Sequence, residues 1–318
     1  MKLDGIHHVT NITGDAPQNV EYYVDRLGLR MVKKTVNQDD PTVYHLFYAD
    51  EQGSPGADIT FFEYPGAQPG RAGAGMVHTV VWRVASEDAL DFWRERMGGV
   101  PFEDPEGLRH DLVVAHVPDA PLIADHPEIP RELALQGFEG VRAYARDVEQ
   151  RTADFLEAIG FERDRDTWAT RGADRGGWIE YDEAPAGPGI PGAGTVHHVA
   201  WSCELDEQEE WRQRVLAAGG RPTEIIDRFW FRSVYFREPS GVLFEIATKG
   251  PGFSTDEDPA HLGEALILPP AFEHLRAQVE PMLTPLPNPR AAKGGPVSAP
   301  GVGGFAADAS SDSAAHRS

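Results

Sequence analysis

The chain has 318 residues, of which 41% are apolar and 25% charged, enough for two ordinary hydrophobic cores. With 29 basic against 51 acidic residues the net charge is −22, a surface that repels phosphate backbones and anionic membranes, so neither nucleic acid nor membrane is expected as a partner. The single cysteine, Cys203, excludes an internal disulfide or a cysteine-built zinc site. No apolar run approaches the ~20 residues of a membrane span, and the start MKLDGIHHVT does not read as a secretory signal, so the expected address is the cytoplasm. Only five basic residues are lysine, a bias that fits either a high-salt cytoplasm or an arginine-preferring genome.

Four segments begin alike, at Gly5-Ile-His-His-Val-Thr, Gly75-Met-Val-His-Thr-Val-Val-Trp, Gly140-Val-Arg-Ala-Tyr-Ala and Gly194-Thr-Val-His-His-Val-Ala-Trp, with starts 70, 65 and 54 residues apart. Each start reads as a short strand. Helices are expected over 16–27, 87–97, 148–159 and 207–218, with Asp15, Ser86 and Asp147 as N-caps and Gly28, Gly98, Gly160 and Gly219 just beyond the C-termini. Two or three strands follow each helix: 31–36, 43–48 and 58–64 in the first copy; 221–226, 231–237 and 243–248 in the fourth. The unit is β-α-β-β with a further strand in some copies, an α+β module. One module leaves an apolar face and open edges, so modules are expected to pair. The expected pairing is sequential: copies one and two in a domain over 1–117, copies three and four in a domain over 138–250, joined by a Pro- and Asp-rich linker over 118–137. A helical extension over 251–289 is expected to pack on the second domain, and 290–318 reads as a disordered tail.

Most of the twelve histidines are scattered and read as structural; His45, alternating with Tyr44 and Leu46 on a strand, is one of these. The pairs His7-His8 and His197-His198 stand apart. Successive side chains on a strand face opposite ways, so one member of each pair is expected to face a given cavity, with His8 and His198 in phase with Ile6 and Val196. Aligning Trp82 with Trp201 sets His78 against His197 and Thr79 against His198. If the second position is the ligand, copy two has lost it. A third ligand is sought at Glu245, a carboxylate inside an apolar strand, where burial is costly without a cation or partner. Asp111 is the weaker match in copy two; Glu63 and Glu180 are similarly placed. Two imidazoles and one carboxylate leave cis positions of an octahedral ion open, which suits non-haem Fe(II) or Mn(II) better than structural zinc.

Repeated βαβββ modules with a His…His…Glu set resemble the vicinal oxygen chelate superfamily (glyoxalase, bleomycin resistance and extradiol dioxygenase proteins), and within it the hydroquinone-type ring-cleaving dioxygenases. The motifs that carry the resemblance are Ile6-His-His-Val-Thr, Gly28-Leu-Arg-Met-Val-Lys-Lys-Thr, Tyr44-His-Leu-Phe-Tyr-Ala-Asp, Gly53-Ser-Pro-Gly, Val196-His-His-Val-Ala, the stretch 235–248, and Gly252-Phe-Ser-Thr-Asp-Glu-Asp. The resemblance implies four modules in two vicinal-oxygen-chelate domains, with a metal held by His8, His198 and Glu245. It places His7 and His197 beside the ligands, as proton relays, and Arg228 and Tyr235 on the substrate pocket. It implies Fe(II), or Mn(II), with a small dihydroxylated aromatic and O2 as substrates; open sheet edges leave room for a homo-oligomer. The rivals are a glyoxalase-type isomerase or lyase, and a metal-free small-molecule binding protein on the same modules.

Overall fold

A computed structural model describes residues 1–146, 148 and 150–291. The expected N-cap Asp147 and nearly all of the expected tail lie outside the described residues. The first module comprises β1 (Ile6–Thr13), α1 (Ala16–Val20), β2 (Arg30–Asn37), β3 (Asp40–Ala49) and β4 (Asp58–Glu63). The second has β5 (Met76–Val84), α2 (Glu87–Met97), β6 (Phe102–Glu103) and β7 (Arg109–Val114). The third has β8 (Phe138–Ala145), α3 (Gln150–Ala158), β9 (Glu162–Asp164), β10 (Thr167–Arg171) and β11 (Gly176–Glu183). The fourth has β12 (Val196–Cys203), α4 (Gln208–Ala217), β13 (Ile226–Asp227), β14 (Arg232–Arg237) and β15 (Leu243–Thr248).

Local signals place the helices well. Asp15 accepts from Gln18 N and Ser86 from Ala89 N, satisfying first-turn donors, and Gly98 ends α2 in the left-handed conformation at φ +77°. The first helix is less regular than its apolar spacing predicts: α1 continues over Glu21–Arg26 as a wider π-helical turn. The strand expected over 221–226 forms only at its end, Ile226–Asp227. Pro222 supplies no N–H for a ladder, and the chain there is tied instead by Thr223 N to Tyr235 O.

The sheets do not follow the sequential pairing expected from the repeats. One sheet runs β13-β14-β15-β12-β1-β4-β3-β2 and the other β6-β7-β5-β8-β11-β10-β9. The first and fourth modules therefore share a sheet through the antiparallel pair β1–β12, and the second and third share the other through β5–β8. The opening strand of every module sits at the centre of its sheet, so each module closes its partner's open edge. Halves of the chain that are contiguous in sequence thus each contribute one module to each sheet. Apolar side chains of both sheets and the helices make one continuous core, with Trp82, Trp93, Trp168, Trp201 and Trp211 fully buried.

The C-terminal extension departs from expectation as well. Its helical part is short, with α5 spanning Arg276–Val279. It packs on the first module as well as on Trp230 of the fourth: Ile267 N donates to Lys34 O, Leu266 bridges to Lys34 on the edge strand β2, and Gly252 N donates to Trp230 O. An edge strand exposes unpaired backbone groups, and the extension covers this one. No helix among the described residues is long and apolar enough to cross a membrane.

Candidate metal centre

The two His-His pairs lie at β-bulges. Along β1–β12, Ile6 pairs with Trp201 and His8 with Ala200, leaving His7 as the extra residue; Thr10 pairs with His198 and Asn11 with Val196, leaving His197 as the extra residue. The two bulges are related by a pseudo-twofold through the pair Val9–Val199. A bulge breaks the simple alternation, so both members of a pair can reach the same side. This corrects the sequence phase: Ile6 and Val196 point into the main core, away from His8 and His198.

Glu245 on β15 pairs with Ala200, which pairs with His8 on its other side, and His198 stands two residues before Ala200. Three donors therefore surround one small side chain. His8 Nε2 and His198 Nε2 lie 3.2 Å apart, and Glu245 Oε2 lies 3.1 Å from the first and 2.9 Å from the second. Edges of about 3 Å are what an octahedral ion with bonds of ~2.1 Å requires of three cis ligands. All three side chains are buried, and neither oxygen of Glu245 has a hydrogen-bond partner among the described residues. Burial alone would raise the Glu245 carboxyl, but the neighbouring His8 and His198 outweigh it and hold it well below the usual carboxylate range. A buried, converging, unsatisfied donor set of this kind fits a divalent cation.

The residues beside these three groups fix their orientation. His7 Nε2 lies 3.1 Å from the Thr248 carbonyl, which can only accept, so that nitrogen carries the hydrogen. Burial, followed by the charge of His8, lowers His7 to about 3, so it is neutral near pH 7 with a bare Nδ1. His8 Nδ1 lies 2.9 Å away and donates to it, which leaves His8 Nε2 as a lone pair aimed at the centre. His7 thus ties the His8 ring to the Thr248 carbonyl. His198 Nδ1 makes the corresponding contact, 2.8 Å, with His197 Nδ1, and His197 itself reaches solvent.

Tyr235 and Arg228 line the cleft above the centre with Asn37, Gln38, Asp39, His45, Phe47, Phe62, Trp230 and Phe231. The Tyr235 ring stands edge-on to His198, with centroids 5.5 Å apart. Burial, then Glu245, pushes its phenol up, so the hydroxyl keeps its proton at neutral pH. Arg228 makes a bidentate pair with Asp39 at 3.1 and 2.8 Å, and Gln38 Nε2 donates to Arg228 O, so the β2–β3 turn and the loop before β14 are clasped across the mouth. Phe229 in that loop holds φ +73°, a left-handed conformation that costs a non-glycine residue ~1–3 kcal/mol. Sequence reasoning missed His45, Phe47 and Ala200. Strand phase was the available signal for the first two: Tyr44, Leu46 and Tyr48 face the main core, and His45 and Phe47 face the other way.

The other acidic candidates do different work. Glu63 caps Ala16 N at 3.2 Å and accepts from Thr284, and Glu180 pairs with Arg142. In the second sheet Asp111 occupies the register of Glu245, opposite Val81, but Gly140 stands where His8 does and the Trp178 ring fills the space over it. Asp4, Asp174 and Glu204 also converge, around the ammonium of Lys249.

The glyoxalase/bleomycin resistance protein/dioxygenase superfamily model matches residues 5–118 and 131–246. The chain belongs to this superfamily. It is 39% identical over 305 residues to the Bacillus subtilis protein named "Putative ring-cleaving dioxygenase MhqO", covering 89% of this chain and 97% of that one. It is 32% identical over 310 residues to a chlorohydroquinone/hydroquinone 1,2-dioxygenase of Sphingobium indicum, covering 87% of this chain and 95% of the relative. A crystal structure of a Bacillus subtilis protein titled "putative dioxygenase" superposes with TM-score 0.82 at 38% identity, over 90% of this chain and 98% of that one. A maize glyoxalase I mutant, TM-score 0.54 at 15% identity over 77% of this chain and 94% of its own, shares the fold.

Proposed function

We propose that the chain is a ring-cleaving dioxygenase that opens a hydroquinone-type ring and places both atoms of O2 in the product, with Fe(II) or Mn(II) held by His8, His198 and Glu245. The observation that carries this reading is the convergence of those three groups around Ala200, with their free side open to an aromatic-walled cleft. When bound, such an ion supplies the one-electron chemistry that lets a closed-shell ring react with O2. No other reductant enters the balance: ring plus O2 gives the opened acid. The chain's own part is to bind, orient and exclude water. Phe231 packs 5.3 Å from both His7 and His8 and seals the centre from one side. Tyr235, neutral and half-buried, donates a hydrogen bond to the substrate oxygen nearest the centre, and Arg228, 5.6 Å over the Tyr235 ring, offsets negative charge that builds there. A reducing cytoplasm, where Fe(II) persists, is the setting this reading implies.

The test is oxygen uptake by protein purified without air and loaded with Fe(II) or Mn(II), against hydroquinones, catechols and a thiol–aldehyde adduct. Stoichiometric oxygen consumption with a hydroquinone and formation of a ring-opened acid is the expected result. Isomerisation of the adduct with no oxygen consumed would replace the reading with a glyoxalase-type one.

A further inference from the structure

One polar group in the cleft wall has no part in the reading above. His45 stands on β3 with its ring held between Phe47 and Phe62, at centroid distances of 3.9 and 4.4 Å. Its Nε2 lies 2.9 Å from Thr60 Oγ1, which donates to Thr10 Oγ1 at 2.8 Å. A hydroxyl has one hydrogen, and in the arrangement where that of Thr60 goes to Thr10, His45 Nε2–H is the donor to Thr60. The neutral imidazole then carries its lone pair on Nδ1, an atom with no hydrogen bond to a described residue, on the wall of the cleft. Burial, with His8 and His198 adding to it, lowers the His45 pKa well below the ordinary value and keeps that lone pair free.

β3 lies two strands from β1 in the order β12-β1-β4-β3, and His45, level with Phe62 and Ile12, lines the same cleft as His8 and His198. We propose that His45 Nδ1 accepts a hydrogen bond from the far hydroxyl of a para-dihydroxylated ring whose near oxygen lies at the His8–His198–Glu245 centre. The proposal rests on the dioxygenase reading and deepens it. An ortho-diol holds both oxygens at one end of the ring and leaves nothing for β3, so His45 is a specificity residue that selects para over ortho.

The test is calorimetric binding to protein loaded with Zn2+, which is redox-inert, so turnover plays no part. Hydroquinone is compared with 4-methoxyphenol, which keeps the near hydroxyl and loses the far donor. The wild type is expected to favour hydroquinone by at least about tenfold, because the ether offers Nδ1 no hydrogen to accept. In His45→Phe that ratio should fall to within about twofold, and His45→Gln, which keeps an acceptor, should restore part of it. Thr60→Val leaves His45 in place but frees its tautomer, and should also cut the ratio. A wild-type ratio retained in His45→Phe or in Thr60→Val, each checked for one zinc per chain, overturns the proposal, as does an equal loss of both affinities, the mark of mere packing. Failure of both ligands to bind the wild type overturns the dioxygenase reading together with this one.

Discussion

Lys33 is the most consequential charge outside the metal centre, and replacing it with methionine tests the packing argument. Its side chain is fully buried, with Nζ paired to Glu257, 2.9 Å from Asp256 Oδ1, 3.3 Å from Phe253 O and 4.8 Å over the Trp230 ring. Trp230 Nε1 donates to the same Asp256 oxygen at 2.9 Å. One ammonium thus joins β2, the acidic turn of the extension and a wall of the cleft. Lys33→Met strands two carboxylates, of which Glu257 is nearly buried, and breaking a buried pair from one side costs about 3–5 kcal/mol. At ~2–4 °C per kcal/mol the midpoint of thermal unfolding should fall by roughly 6–20 °C. Adding Glu257→Gln to Lys33→Met should return a large part of that loss, because the uncompensated charge is gone. Denaturant unfolding of the wild type, both single variants and the double variant measures this. A Lys33→Met protein within ~1 kcal/mol of wild type, or single effects that simply add, would refute the reasoning.

Further outcomes follow from other sites. Asp119 accepts from Arg83, Arg171 and Gly176 N; burial opposes its ionisation but these donors prevail and hold it at about 2, below its ordinary 3.8. Its folded pKa is depressed, so its ~2 kcal/mol is present above pH ~4 and lost as the pH falls through about 2; the stability gap between wild type and Asp119→Asn should close over that window. A Cβ at Gly140 would meet the Trp178 ring at 2.2 Å, so Gly140→Ala should cost about 1–3 kcal/mol and shift tryptophan emission without changing metal content. Ala200→Leu fills the space between His8 and Glu245, and titration with Mn2+ should show affinity lost while circular dichroism stays native. Asp39→Ala frees Arg228 and opens the clasp at the cleft mouth, so steady-state kinetics should show KM rising more than kcat falls.

The repeat, the module type and most strand bounds were legible because they are local: β15 and α2 fall where apolar phase and caps put them. Family resemblance singled out His8, His198 and Glu245, and the structure brings them together. What the sequence hid was long-range. Four similar modules can pair in more than one way, and nothing local to β1 states that it meets β12, 190 residues from His8 to His198. The bulges at His7 and His197 were hidden too, since strict alternation is the only phase a strand pattern offers. The extension's docking on β2 turns on the Lys33 ammonium, which meets Asp256 and Glu257, and on the Lys34 carbonyl, which accepts from Ile267 N, contacts that no local pattern announces.

The proposed chemistry depends on a divalent ion at the His8–His198–Glu245 centre. Elemental analysis of anaerobically purified wild type beside Glu245→Ala tests it most directly. Close to one iron or manganese per wild-type chain and near none in the variant is the expected result. Equal metal in both proteins, or a wild type that takes up none from excess Fe(II) or Mn(II), would contradict it.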